Sequence, residues 1–109
     1  GNDALRGIDP EDSYHNLKFI IEKVKEKYPQ AKIVIAGMEA PPNMGAEYTG
    51  KFRGMYPKLA KEFNASLIPF LLKDVGGVPE LNLPDGIHPT PEGHQIVAEN
   101  IWMVLKGIL

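Results

Sequence analysis

Lys32-Ile33-Val34-Ile35-Ala36-Gly37-Met38, KIVIAGM, carries four consecutive apolar residues between a lysine and a glycine, and three of the four are β-branched. A run this short, apolar toward both faces, suits a strand buried in a parallel sheet, covered by helices on either side. The residues around it supply those helices. Upstream, Asp9 followed by Pro10 is a helix start, because the carboxylate caps free N–H groups and proline at the first helical position gives up nothing. That helix is predicted to run to about Tyr28 and stop at Pro29, with Leu17, Ile20, Ile21, Val24 and Tyr28 on one apolar face and Lys18, Glu22, Lys25 and Glu26 toward water. Downstream, Glu39 to Gly45, with Pro41-Pro42-Asn43, is a loop at the carboxyl end of the strand, where open α/β sheets place ligands.

A second helix is predicted over roughly Glu47 to Phe63, with Tyr48, Phe52, Tyr56, Leu59, Ala60 and Phe63 on its inner side and Pro57 expected to kink or divide it. Core packing is the plain reading of these aromatics, with Tyr48 and Phe52 the best placed to touch an apolar ligand. Ala65 to Leu72 reads as another short strand, and Pro69 argues for an edge position. After Gly76-Gly77, Thr90 caps a last helix that has Pro91 in its first turn and Val97, Ile101, Val104, Leu105 and Ile108 as its inner face. Strand and helix in alternation predict a right-handed parallel α/β layer. Two strands against three amphipathic helices are too few to be buried on both faces, so further strands are expected from outside these residues.

With 109 residues, 43% hydrophobic and 24% charged, the composition is that of an ordinary globular domain. A net charge of -2 offers no basic field for nucleic acid. There is no cysteine, hence no disulfide framework, thiolate metal site or cysteine nucleophile, and no apolar run reaches membrane-spanning length. Chemistry concentrates in Asp85-Gly86-Ile87-His88-Pro89, an acid and a histidine three apart, between Pro84 and Pro89. An imidazole serves as a general base when something fixes its tautomer and supports the imidazolium that forms. Asp85 is expected to accept from His88 Nδ1 and leave Nε2 for a nucleophile. Gly86 allows the tight turn. His94, six residues on, makes an Asp85, His88, His94 metal site conceivable, though three ligands without a fourth are thin and a helix-surface histidine is the plainer reading. His15 reads as a surface or cap histidine.

At the other end stands Gly1-Asn2-Asp3-Ala4-Leu5-Arg6-Gly7, whose Asn2 is suited to present an amide N–H from a sharp turn as an oxyanion donor. An N-terminal GND with a C-terminal DGIHP resembles the SGNH hydrolases, the GDSL family of esterases, lipases and thioesterases. MEAPPNMGAEYTGKFRGMYPKLAKEF, LIPFLLKDV and LNLPDGIHPTPEGHQIVAENIW are similar in order and spacing to the arylesterase and thioesterase I/lysophospholipase branch of lipid-metabolising enzymes. The resemblance implies part of a three-layer α/β/α, flavodoxin-like fold with a parallel sheet, its central strands on an N-terminal segment. It also implies a serine in a Gly-Asp-Ser block, which is absent: the serines are Ser13, in DSYHN, and Ser66, in NASLIPF. Residues 1–109 are therefore expected to be the C-terminal part of a single hydrolase domain, inactive and poorly folded alone.

By the same resemblance, a serine hydroxyl attacks an ester or thioester carbonyl, His88 takes its proton, Asp85 orients His88, and Asn2 helps bind the oxyanion. Asp3 structures its turn. Leu5 to Ile8 corresponds to a mobile substrate-facing loop, Glu39 to Met44 to another wall, and Leu5, Glu39, Pro41, Pro42, Asn43 and Ile87 are the expected substrate contacts. No cofactor or metal is implied. The expected partners are a small ester or thioester and the N-terminal remainder of the hydrolase, on the same or a companion chain. Compartment is left open, though bacterial relatives of this branch are often exported. The alternatives are a non-catalytic binding or assembly module built on a hydrolase layer, and a metal-dependent hydrolase using Asp85, His88 and His94.

Overall fold

The computed structural model describes residues 1–109. It contains α1 (Asn2–Leu5), α2 (Pro10–Lys27), β1 (Val34–Ala36), a 3-10 turn at Pro42–Met44, α3 (Ala46–Phe63), β2 (Ser66–Ile68), a second 3-10 turn at Pro79–Leu81 and α4 (Pro91–Leu105). Strands β1 and β2 pair in parallel, Val34 opposite Ser66 and Ala36 opposite Ile68, with α3 as the crossover. Residues 1–69 and 70–109 form two compact units.

In the first unit the helix starts follow their residues. Asp9 accepts a hydrogen bond from the Glu11 amide at 2.9 Å and Pro10 opens α2. Helix α3 ends where Asn64 turns left-handed (φ 50°), a conformation asparagine tolerates better than most residues. The core gathers Tyr14 and Ile21 of α2, Ile35 of β1, and Phe52, Met55, Tyr56, Leu59 and Ala60 of α3, with Ala4 of α1. The Tyr14 hydroxyl donates to Glu62, joining α2 to α3, while Lys58 lies 4.4 Å from the Tyr14 ring centroid. That hydrogen bond, reinforced by burial, pushes the phenol up to about 12.

Several expectations change. Both strands are shorter than their apolar runs, and β2 stops at Pro69, which lacks the N–H to continue a ladder. Helix α3 is neither divided nor ended at Pro57. The proline lies well inside the helix, and a single missing hydrogen bond is offset by the buried residues before and after it, Met55, Tyr56, Leu59 and Ala60. On α2 the buried side is Pro10, Ser13, Tyr14 and Ile21, whereas Ile20 and Tyr28 are more than half exposed. Ile20, with Leu17, Ile21 and Val24, lines an apolar groove of about 410 Å³ whose other wall is residues 32–36. The helical spacing was sound, and what Ile20 faces is the unpaired side of β1 rather than a core.

Gly37 marks where the two strands leave the sheet. Its amide donates to the Ile68 carbonyl at 2.7 Å, and a Cβ there would lie 2.2 Å from the Pro69 oxygen, so no other residue fits without moving backbone.

In the second unit Val75 is the one buried apolar side chain, and α4 turns Val97, Ile101, Val104 and Leu105 inward only to half-burial. Thr90 caps α4 by accepting from the Gly93 amide at 3.1 Å. Ile108 lies past the end of the helix.

Candidate active site

The Asp85–His88 turn is built by a short antiparallel stalk. Thr90 N–H donates to Leu81 O at 2.9 Å, Leu83 N–H to His88 O at 2.7 Å, and Asn82 pairs with Pro89 across the bridge. Between these legs Gly86 adopts φ 74° and its amide closes on Leu83 O at 2.8 Å, a backbone geometry for which glycine has no Cβ penalty. The carboxylate of Asp85 fills the turn: Oδ1 accepts from the amides of Ile87 (2.9 Å) and His88 (3.1 Å), and Oδ2 lies 2.5 Å from His88 Nδ1. The His88 hydrogen bond first, and then the two amides, hold the Asp85 carboxyl down at about 2. With Asp85 ionised, Nδ1 is the donor, and in the neutral ring Nε2 keeps a free lone pair. The His88 side chain is 66% exposed and that of Asp85 45%, so Nε2 is open to a reactant.

Asn2 begins α1 and is exposed, so the residue expected on a sharp turn lies in a single helical turn instead. Leu5 N–H to Gly1 O (3.1 Å) and Arg6 N–H to Asn2 O (3.0 Å) make that turn helical. The carboxylate of Asp3 accepts from the buried Ser13 hydroxyl at 2.7 Å, and the Asp3 carbonyl accepts from Ile8 N–H at 2.9 Å. Ser13 is thus a structural partner of the GND segment and is 1% exposed. Ser66 belongs to β2. Asn2 is in the first unit; Asp85 and His88 are in the second.

Of the expected substrate contacts, Leu5 is half exposed at the end of α1, Glu39 is exposed with Arg53 at 4.0 Å, Pro41 is half-buried, and Pro42 and Asn43 are exposed on the 3-10 turn. Ile87 is half exposed beside His88. The two first-unit segments, Leu5 to Ile8 and Glu39 to Met44, do adjoin. Gly7 packs beside Met44, the Tyr48 hydroxyl donates to Ile8 O at 2.6 Å, and an open cleft of about 600 Å³ is lined by Gly7, Asp9, Met44, Gly45, Tyr48 and Lys51 among others. Tyr48 therefore has a fixed partner, and Phe52, wholly buried and stacked on it, belongs to the core and cannot reach a ligand. No three His, Cys, Asp or Glu side chains are grouped to hold a metal ion, so Asp85, His88 and exposed His94 do not make the metal site weighed above. His15 is exposed, its Nε2 3.8 Å from Glu11.

Asn82 and Gly93, which shape the stalk, carried no sequence signal beyond a glycine in a first helical turn. The partners of Asn82 are backbone carbonyls, and those leave no mark in side-chain pattern.

What these elements define is part of an α/β fold with a parallel sheet. Residues 1–96 match the model of the GDSL-like Lipase/Acylhydrolase family, and the chain belongs to that family, the SGNH hydrolases. It is 37% identical to Esterase TesA of Pseudomonas aeruginosa across all of this chain and 53% of that protein. Against Thioesterase 1/protease 1/lysophospholipase L1 of Escherichia coli K12 the identity is 37% over 94% of this chain and 48% of the relative. The crystal structure of TesA superposes with a TM-score of 0.91 at 37% identity, covering 100% of this chain and 59% of that one. The chain spans about half the length of the curated relatives it matches.

Proposed function

We propose that residues 1–109 are the C-terminal part of one SGNH hydrolase domain and supply the acid–base half of a serine esterase acting on carboxylic esters or thioesters. The observation that carries this reading is the 2.5 Å hydrogen bond between Asp85 and His88 Nδ1, which leaves Nε2 open to solvent, in a chain of this family. The nucleophilic serine comes from the N-terminal remainder, on the same or a companion chain. His88 Nε2 takes the serine proton as the oxygen bonds to the acyl carbon, then returns it to the departing alcohol or thiol. Water deacylates the serine by the same proton path. Asp85 holds the tautomer and faces the imidazolium charge, and Asn2 donates to the oxyanion. Leu5, Glu39, Pro41, Pro42, Asn43 and Ile87 are proposed to flank the substrate.

Support for the missing partner comes from two sides. The relatives are about twice as long, and the unpaired side of β1 borders an apolar groove of the kind a neighbouring strand and its side chains fill. The test is hydrolysis of a short aryl ester and of an acyl thioester by the complete hydrolase containing these residues. His88→Ala is expected to abolish turnover with substrate binding retained. Unimpaired turnover in that variant would contradict the proposal.

A further inference from the structure

We infer that Asn82 is a positioning residue for the Asp85–His88 pair, an assignment that rests on the hydrolase reading above. Both members of the pair are exposed, so no packed core fixes where they stand. Their position is inherited from the stalk. The stalk is itself thinly held, because Pro84 and Pro89 have no N–H to add to its ladder and Val75 is the only buried apolar side chain of the unit. Asn82 supplies what packing does not. Its side-chain Nδ2 donates to the Val75 carbonyl and to the Val78 carbonyl, each at 2.8 Å, while its backbone pairs with Pro89 at the foot of the turn. One half-buried amide thereby ties the leg that carries Asp85 to the buried Val75 and to the turn before Pro79.

The other leg is fixed against the same point. Gly93, in the first turn of α4, lies so close that a Cβ would sit 2.4 Å from Leu81 O and 3.0 Å from Pro89 Cβ. Asn100 repeats the device farther along α4, donating to Leu71 O (3.1 Å) and Lys73 O (2.9 Å). Of these ties, only that of Asn82 belongs to the strand pair that ends in Asp85 and His88. It touches neither, and it acts by keeping the turn at one height and angle.

Such a role differs from mere loop stability in its coupling to the pair, and the experiment reads that coupling. In the complete hydrolase, Asn82→Ala and Asn82→Asp are assayed for kcat and KM with p-nitrophenyl butyrate, in the native background and again with Asp85→Asn. The expected result is a kcat lower by about tenfold or more with little change in KM, since small misplacement of reacting groups is costly. In the Asp85→Asn background the same substitutions should cost less than about twofold, because contacts acting through one pair are not additive. Equal losses in both backgrounds, or unchanged kcat in a cooperatively melting variant, would overturn the assignment. Full turnover in His88→Ala is a different result, which removes the hydrolase reading itself. Should both Asn82 variants fail to fold, hydrogen exchange in the unsubstituted protein still decides: the Leu83 and Thr90 amides are expected to be protected, and free exchange at either would overturn the stalk's role.

Discussion

At the scale of the residue, Asp85 does two jobs with one carboxylate: Oδ1 organises the turn and Oδ2 orients the imidazole. Asp85→Asn should keep much of the turn and lose the charge opposite the imidazolium, lowering kcat on the order of 10⁴-fold, as in the archetypal Ser-His-Asp site, when steady-state rates are compared. Asn2→Ala should cost about 10²- to 10³-fold in kcat if Asn2 donates to the oxyanion. The pH dependence follows from the depressed carboxyl. Asp85 titrates at about 2 in the fold against an ordinary 3.8, so it is deprotonated more readily folded than unfolded. Its contribution to the turn is therefore complete above the ordinary carboxylate range and is lost as pH falls from about 4 toward 2. Carboxyl-detected NMR of Asp85 should show that low midpoint, and an ordinary one would mean the hydrogen bonds are absent in solution. This pair was legible in sequence because its geometry is local: three residues, a glycine and two prolines set it. Asn82 was not, because its partners are carbonyls seven and four residues back, in a loop without pattern.

At the scale of the element, α3 holds the first unit together. Phe52 and Leu59 are fully buried on it, and Phe52→Ala should cost about 3–5 kcal/mol of the complete protein's stability, read by denaturant unfolding. Gly37→Ala is expected to destabilise comparably although it removes nothing, since its Cβ meets the Pro69 carbonyl where the strands part. Helix α3 also shows how far periodicity carries. Its inner face was readable at 3.6-residue spacing, yet Pro57 looked like a break because local rules cannot weigh the tertiary contacts on both sides of it. The strands erred the other way, as apolar runs extend beyond the ladder. Tyr48 was read as core packing and, with Phe52, as best placed to touch a ligand; nothing in the sequence signalled that the Ile8 carbonyl would accept from its hydroxyl.

At the scale of the whole molecule, the sequence spoke most clearly through a mismatch, too few strands for the helices that should cover them. The structure gives that mismatch a place, since the sheet has two strands and Ile20 looks onto the unpaired side of β1. Alone, residues 1–109 are predicted to aggregate or melt without cooperativity, and to be rescued by co-expression with the N-terminal part. A compact, cooperatively melting monomer on gel filtration would contradict this. The central claim, that these residues are the acid–base half of a serine hydrolase, is tested most directly by a fluorophosphonate serine probe on the complete hydrolase, followed by intact mass and site mapping. Label on a serine N-terminal to this chain, formed rapidly with His88 present and slowly in His88→Ala, is the predicted result. Label on Ser13 or Ser66, or labelling indifferent to His88, would contradict it, and a folded protein that takes no label would be a binding module.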